Sequence, residues 1–211
     1  EEKYVGIRKG TNNQIINNET IIKSVSIINY FKEKCENFKC KFLHLIATAS
    51  LRNALNKDDF LKTCQQNTGL TINVISGKKE AKLIFDAVKN NLKISENYLI
   101  IDIGGASTEF IIVINNNPLF EKSYPFGSQS LIQKFKPSNP IKNEEIEEIN
   151  LFFKKKIHEP VSLFKKYNIT KIVGTSGSFE SLAKIETNNL HHKRNYHSFN
   201  IKHYTDTIAP M

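Results

Sequence analysis

An aspartate, two glycines, two hydroxyl residues and a glutamate crowd into Asp102-Ile103-Gly104-Gly105-Ala106-Ser107-Thr108-Glu109, between the apolar runs Tyr98–Ile101 and Phe110–Ile114. An acid at the end of a Leu/Ile run is costly to bury unless it has a partner. Gly104 and Gly105 let a ligand come close to the main chain. Ser107 and Thr108 add hydroxyls, and successive backbone N–H groups in such a turn form a nest for an anion. Glu109 brings a second carboxylate towards Asp102. These types at this spacing suit a phosphate held beside a divalent cation.

Two familiar phosphate loops do not fit. No Gly-Lys-Ser/Thr is present, which excludes a P-loop, and there is no Gly-x-Gly-x-x-Gly. In both of those motifs a helix follows the glycines. Here Phe110–Ile114 is a second β-rich run that stops at Asn115-Asn116-Asn117-Pro118, a turn signal. The loop is therefore expected at the tip of a β-hairpin.

Other chemistry-bearing residues need elements to place them. Lys41–Ala47 reads as a buried strand that runs into Thr48-Ala49-Ser50-Leu51-Arg52-Asn53, a turn becoming a helix that carries Arg52. Thr71–Ile75 reads as a strand. Ser76-Gly77 then opens a helix from Lys78 to Leu92, with Glu80 in its first turn. Lys171–Val173 is a strand, Gly174-Thr175-Ser176-Gly177-Ser178 a second small-residue loop, and Phe179–Ile185 a helix. Gly174, Ser176, Gly177 and Ser178 could hold a phosphate at that helix N-terminus or simply cap it. Arg52 and Glu80 could equally be exposed helix residues.

Elsewhere, Tyr4–Ile7 looks like a strand and Asn12–Asn18 like a polar turn. Thr20 is placed to cap a helix to about Cys35, and Asp58–Gln66 is a short helix. Leu119–Tyr124 is a third strand after the hairpin, followed by a helix from Ser128 to Phe135. Asn143 is placed to cap a long amphipathic helix that Pro160 kinks or splits. The order in the second half is strand-strand-strand-helix-strand-helix, and the first half matches it if an opening hairpin is missing. Parallel strands with crossover helices make α/β layers, and two such halves leave a cleft between them.

The 211 residues suit one large or two small domains. A hydrophobic share of 39% with 24% charged residues is ordinary for a globular chain. No apolar run is long enough to span a bilayer, and Glu1-Glu2-Lys3-Tyr4 lacks the form of a signal peptide. The three cysteines, Cys35, Cys40 and Cys64, read as free thiols of a reducing, cytoplasmic compartment. Thirty basic residues against 21 acidic ones give a net charge of +9. That fits either a polyanionic partner or a surface solvated by scattered lysines. No RNP-like motif or zinc-finger spacing argues for nucleic acid, and His191, His192, His197 and His203 match no established metal spacing.

Ile46-Ala47-Thr48-Ala49-Ser50-Leu51-Arg52-Asn53-Ala54-Leu55-Asn56, then Val74-Ile75-Ser76-Gly77-Lys78-Lys79-Glu80-Ala81, then the Asp102–Glu109 loop, Phe126-Gly127 and Gly174–Ser178 occur in that order. In this order the chain resembles the Ppx/GppA phosphatases, the exopolyphosphatase and guanosine-pentaphosphate phosphohydrolase family, over nearly its whole length. The resemblance implies an α/β fold of two actin-like, ribonuclease H-like domains, expected over residues 1–80 and 81–211, with substrate bound in the cleft between them. It also implies Mg²⁺ and release of a terminal phosphate from inorganic polyphosphate or guanosine pentaphosphate, an acid-anhydride hydrolysis. Carried over by position, Glu80 matches the glutamate that activates water, and Glu109 is a candidate to assist with metal or water. Arg52 matches a phosphate-contacting arginine, and its planar fork suits that task. Asp102 would hold the cation, in keeping with the oxygen preference of Mg²⁺. Gly104, Gly105, Ser107 and Thr108, with Gly174, Ser176, Gly177 and Ser178, would cradle phosphates. A homodimer is an admissible assembly, and no membrane partner is implied.

The chain departs from the family pattern in places. Ala106 stands where a third glycine is usual, and Lys78 and Lys79 make the mouth of the site more positive. The family's first phosphate loop, an Asp-x-Gly-Ser-Asn-Ser turn, would precede Tyr4, and its last helices would follow Met211; truncation at both ends is expected. An ATP-dependent kinase of the same superfamily stays open as a second reading, because kinases share these loops, and the absent first loop keeps open a third, a non-catalytic polyanion-binding protein.

Overall fold

A computed structural model of the chain describes residues 1, 3–7, 11, 12 and 14–186. The four histidines from His191 to His203 lie outside the described residues.

The chain starts with a minimal antiparallel pair, β1 (Thr11–Asn12) and β2 (Ile15–Ile16). Helix α1 (Asn18–Asn37) follows, and the Asn17 side chain, rather than Thr20, caps it by accepting from the Thr20 N–H at 2.8 Å. Strand β3 (Leu45–Ala47), the single-turn helix α2 (Ala49–Arg52), helix α3 (Lys57–Thr68) and strand β4 (Ile72–Val74) complete the first half. β3 and β4 pair in parallel. Ile16, Ile21, Leu51, Phe60 and Cys64 pack into one core with α1 and α3 around this small sheet. The Asn56 amide stitches β2 to the start of α3, accepting from the Ile16 N–H at 2.9 Å and donating to its carbonyl at 2.8 Å.

The expected strand over Tyr4–Ile7 does not form. Gly6 takes φ +76° and the Tyr4 ring folds back over it, so the segment bends where a strand would run straight.

Helix α4 (Gly77–Asn91) leads into the second half, capped by Ser76, whose hydroxyl accepts from the Lys79 N–H. Strands β5 (Tyr98–Ile103), β6 (Thr108–Ile114) and β7 (Asn117–Tyr124) form the predicted meander. Helices α5 (Ser128–Phe135), α6 (Asn143–Lys156) and α7 (His158–Lys166) come next. The break between α6 and α7 falls three residues before Pro160, which then sits in the first turn of α7, where a missing N–H costs no helical bond. Strand β8 (Lys171–Thr175) and helix α8 (Ser176–Glu186) close the described chain.

The second sheet has the order β7-β6-β5-β8, with β8 parallel to β5. Its central strands are buried on both faces, which is why they read as unbroken apolar runs. One face, with Tyr98, Ile100, Ile111 and Val113, packs on Ala81, Phe85 and Val88 of α4. The other, with Leu99, Phe110, Ile112 and Tyr124, packs on Phe126 and on residues of α6 and α7. Fully burying each such side chain contributes on the order of 1.5–3 kcal/mol, so α4 is fastened to the second sheet along its length. Its N-terminal turn reaches the end of β7, at Ser123. No helix among the described residues is long and apolar enough to cross a membrane.

Candidate active site

Register alone assembles the centre of the site. Asp102 of β5 lies opposite Glu109 of β6, Glu109 lies opposite Ser123 of β7, and Asp102 is in register with Thr175 of β8. A single row across the four-stranded sheet thus reads hydroxyl, carboxylate, carboxylate, hydroxyl. Like charges directly opposite each other destabilise a sheet. Here each acid is answered by its outer neighbour: the Ser123 hydroxyl donates to Glu109 Oε1 and the Thr175 hydroxyl to Asp102 Oδ2, both at 2.6 Å.

The row lies on the same face as Ile100 and Ile111, one step beyond the apolar core under α4. The first turn of α4 therefore reaches it. Gly77 makes this possible, since a Cβ there would fall 2.5 Å from Ser123 Cβ. Glu80, in the same turn, is mostly buried and paired with Arg52, with Nη1 to Oε2 at 3.0 Å. The same Nη1 donates to the Ile75 carbonyl at 2.9 Å, so the guanidinium is held by the loop before α4 as well as by its first turn.

Glu109 is 1% exposed. Burial pushes its carboxyl above the ordinary carboxylate range; the Ser123 and Ser107 hydrogen bonds pull it back, and the charges of Glu80 and Asp102 push it further up. Three carboxylates thus converge, with one arginine bound to one of them.

The hairpin tip is built by backbone. The Gly104 N–H donates to the Ser107 carbonyl, and the first N–H groups of α5 donate to the Gly104 and Gly105 carbonyls at 2.9–3.0 Å. Gly127 has no room for a side chain: a Cβ there would run into the Gly104 carbonyl oxygen and lie 2.8 Å from Gly105 C and Ser107 O. Beside the tip is a cavity of about 310 Å³, bounded by Ile103, Gly104 and Gly105, by Ser128 of α5, and by Ser176, Gly177, Ser178 and Ser181 of α8. Asp102 and Thr175 immediately precede the first residues of two of its walls. Ser176 adopts φ +75°, a left-handed conformation that costs a non-glycine residue energy and concentrates at functional sites.

The structure does not use every candidate as expected. Gly104, Gly105, Ser176, Gly177 and Ser178 line the cavity, although the Ser178 hydroxyl also donates to the Ile103 carbonyl at 3.2 Å. Ser107 is buried and turned towards Glu109. The Thr108 hydroxyl is buried and donates to the Phe126 carbonyl at 2.7 Å, which takes it away from any ligand. Gly174 sits within β8, where the Phe179 ring fills the space a Cβ would need; it is a packing glycine. Asn143 is the first residue of α6 and not its cap; the Glu145 carboxylate accepts from the Lys142 N–H instead. Ser123, Ser128 and Gln129, which lies against Gly105, stand at the site without having been singled out, and Thr175, named only within the Gly174–Ser178 loop, holds Asp102 rather than a phosphate. Only for Ser123 and Thr175 was there a signal, their register opposite the two acids, and it needs the strand pairing.

The donor set fits a magnesium ion. That ion takes oxygen ligands and keeps several waters, needing only one or two carboxylates besides substrate phosphates. Asp102, half-buried with one oxygen held by Thr175, is a carboxylate that could serve as such a ligand. Among the described residues no group of three or more His, Cys, Asp or Glu side chains forms a ready-made metal cage.

Known proteins resemble this chain in sequence and in fold. The model of the Ppx/GppA phosphatase family matches residues 2–211. A Haemophilus influenzae relative assigned as an exopolyphosphatase is 30% identical over 178 residues, covering 84% of this chain and 55% of its own length. The crystal structure of an exopolyphosphatase from Cytophaga hutchinsonii superposes with a TM-score of 0.85 at 25% identity, over 93% of this chain and 63% of that one. An Aquifex aeolicus member of the Ppx/GppA family superposes with a TM-score of 0.70 at 24% identity, over 92% and 61%. The chain therefore spans a little over half the length of these relatives. The fold is the expected α/β one, shared with the solved Ppx/GppA structures.

Proposed function

The chain belongs to the Ppx/GppA phosphatase family, and from that premise we propose that the whole protein is a hydrolase releasing terminal phosphate from inorganic polyphosphate, guanosine pentaphosphate or both. The observation that carries this reading is the convergence of Glu80, Glu109 and Asp102 beside a cavity lined by glycines and serine hydroxyls.

In this mechanism the two halves, taken as domains 1–80 and 81–211, hold the phosphate chain in the cleft between them. Backbone N–H groups at Gly105 and Gly177 and the serines of the cavity hold phosphate oxygens, while the Gly104 N–H closes the tip on the Ser107 carbonyl. Glu80 takes a proton from the attacking water, which forms the new O–P bond at the terminal phosphorus; the P–O–P bridge breaks and the shortened chain leaves. Arg52 holds the Glu80 carboxylate in place. Asp102 is the side chain that would hold Mg²⁺, whose chemistry when bound is to neutralise charge on the phosphates. Phosphoryl transfer depends chiefly on such positioning and electrostatic stabilisation. The family assignment, the free thiols and the lysine-rich surface support a cytoplasmic enzyme acting on a polyanion.

The test is phosphate release by the whole protein from both substrates, with and without Mg²⁺. Release from at least one, lost on chelation and restored by Mg²⁺, is expected. Asp102→Asn should lower turnover and raise the Mg²⁺ concentration needed for half-maximal rate. No release from either substrate would overturn the reading.

A further inference from the structure

We propose that Ser123 is a positioning residue of this site, acting through Glu109 and through the first turn of α4. The inference rests on the reading above, in which Glu80 and Asp102 carry the hydrolysis.

Ser123 has two kinds of contact, and they run to different parts of the site. Its hydroxyl donates to Glu109 Oε1 at 2.6 Å. A carboxylate with its charge-assisted bond on one oxygen is fixed in rotation as well as in charge. Its Cβ lies where α4 comes closest to the sheet. A Cβ built on Gly77 would be 2.5 Å from Ser123 Cβ, 2.8 Å from its Oγ and 3.7 Å from Arg52 Nη2. Ser123 is thus wedged between the buried acid of β6 and the turn that presents Glu80, next to the arginine that holds Glu80.

Side-chain size and chemistry are both constrained at this position. A larger residue would push the α4 turn away from the row, and with it Glu80. A residue without a donor would leave Glu109 dependent on Ser107 alone among the hydroxyls that bond it. The remaining neighbours cannot substitute, since Glu80 and Asp102 repel Glu109 and Arg52 is bound to Glu80. Serine is the small side chain that meets both demands. Thr175 mirrors it at the far end of the row, holding Asp102.

Outer partners that orient acids in this manner typically change activity by about 10–100-fold when removed. The experiment is a double-mutant cycle in the whole protein, with melting temperature recorded to confirm folding. Ser123→Ala should lower kcat by roughly 10–100-fold with KM for polyphosphate within about two-fold. In a Glu109→Met background, which keeps the side-chain length but offers no acceptor, the same change should cost less than about three-fold, because the bond through which it acts is already gone. A merely structural serine would lose the same factor in both backgrounds and move melting temperature rather than the kcat-to-KM split. Equal losses in both backgrounds, or an unchanged kcat in Ser123→Ala, would overturn the proposal. Glu80→Gln and Asp102→Asn serve as controls. If those two retain normal turnover, it is the reading of the site that fails; if they abolish turnover while Ser123→Ala does not reduce it, only the role of Ser123 fails.

Discussion

Arg52 and Glu80 form a partly buried ion pair, with Nη1 3.0 Å from Oε2, and the same nitrogen is anchored to the Ile75 carbonyl at 2.9 Å. The arginine that sequence reasoning assigned to phosphate thus has a second task. It fixes the carboxylate that would act on water, and a pair at this exposure does so with less solvent screening than a surface pair would have.

The first prediction follows from that pairing. Glu80→Gln keeps the shape and removes the charge, and a placed general base typically adds about 10²–10⁴-fold. In the whole protein kcat should fall by roughly that factor. Substrate affinity should stay equal or tighten, because Arg52, released from its ion pair, is available to phosphate. Steady-state kinetics on polyphosphate would show both effects. Near-normal turnover would make Glu80 an ordinary helix acid, with Glu109 the next candidate.

Gly127 offers a test of how the hairpin tip is held. The atoms nearest to a methyl group there are backbone atoms of Gly104, Gly105 and Ser107, and none of these can swing aside. Overpacking of this kind costs about 1–3 kcal/mol, so Gly127→Ala should lower the melting temperature measurably. Its backbone φ of −152° suits any residue, so any loss arises from the contact alone. An unchanged melting temperature would mean that α5 can slide off the tip.

The raised carboxyl of Glu109 has a signed consequence for stability. A folded-state value above the unfolded one means that the folded chain binds the proton more tightly. The contribution is therefore fully present below the ordinary carboxylate range and is lost as pH rises through the folded value. Glu109→Gln removes that titration and keeps an acceptor for Ser123. The melting temperature of Glu109→Gln minus that of the unaltered chain should grow as pH rises from the acidic range towards neutrality. A difference that stays flat with pH would contradict the shift.

The net charge of +9 predicts how polyphosphate should bind if the lysines track the chain. Each phosphate neutralised by a basic side chain releases counterions, so affinity falls as salt rises, more steeply for more contacts. Titrations of long polyphosphate between low and physiological salt should give a steeper slope than those of short phosphates. Equal slopes would leave the lysines as surface solvation.

Most elements of the second half were legible in the sequence, since their signals are local. Continuous Leu, Ile and Val runs mark β5 and β6 as doubly buried strands. The limits of α5, Ser128–Phe135, follow from Gly127 before it and the polar stretch after it. Tyr4–Ile7 misled because its apolar, β-rich residues say nothing of the left-handed turn at Gly6.

The sequence by itself determined the inventory of the candidate site: Asp102, the glycine tip, Glu109, Glu80 and Arg52, in an order that names a family. It determined this because spacing along a chain decides which residues share a turn. What lies 14 residues from Glu109, or 73 from Asp102, was decided only by strand pairing. Pairing alone brought Ser123 and Thr175 to the ends of one row. It also turned the Thr108 hydroxyl to the Phe126 carbonyl and made Gly174 a seat for Phe179 rather than a phosphate contact. Local sequence carries backbone preference and charge, whereas the direction of a side chain and the neighbour it meets depend on register and packing between strands far apart in the chain.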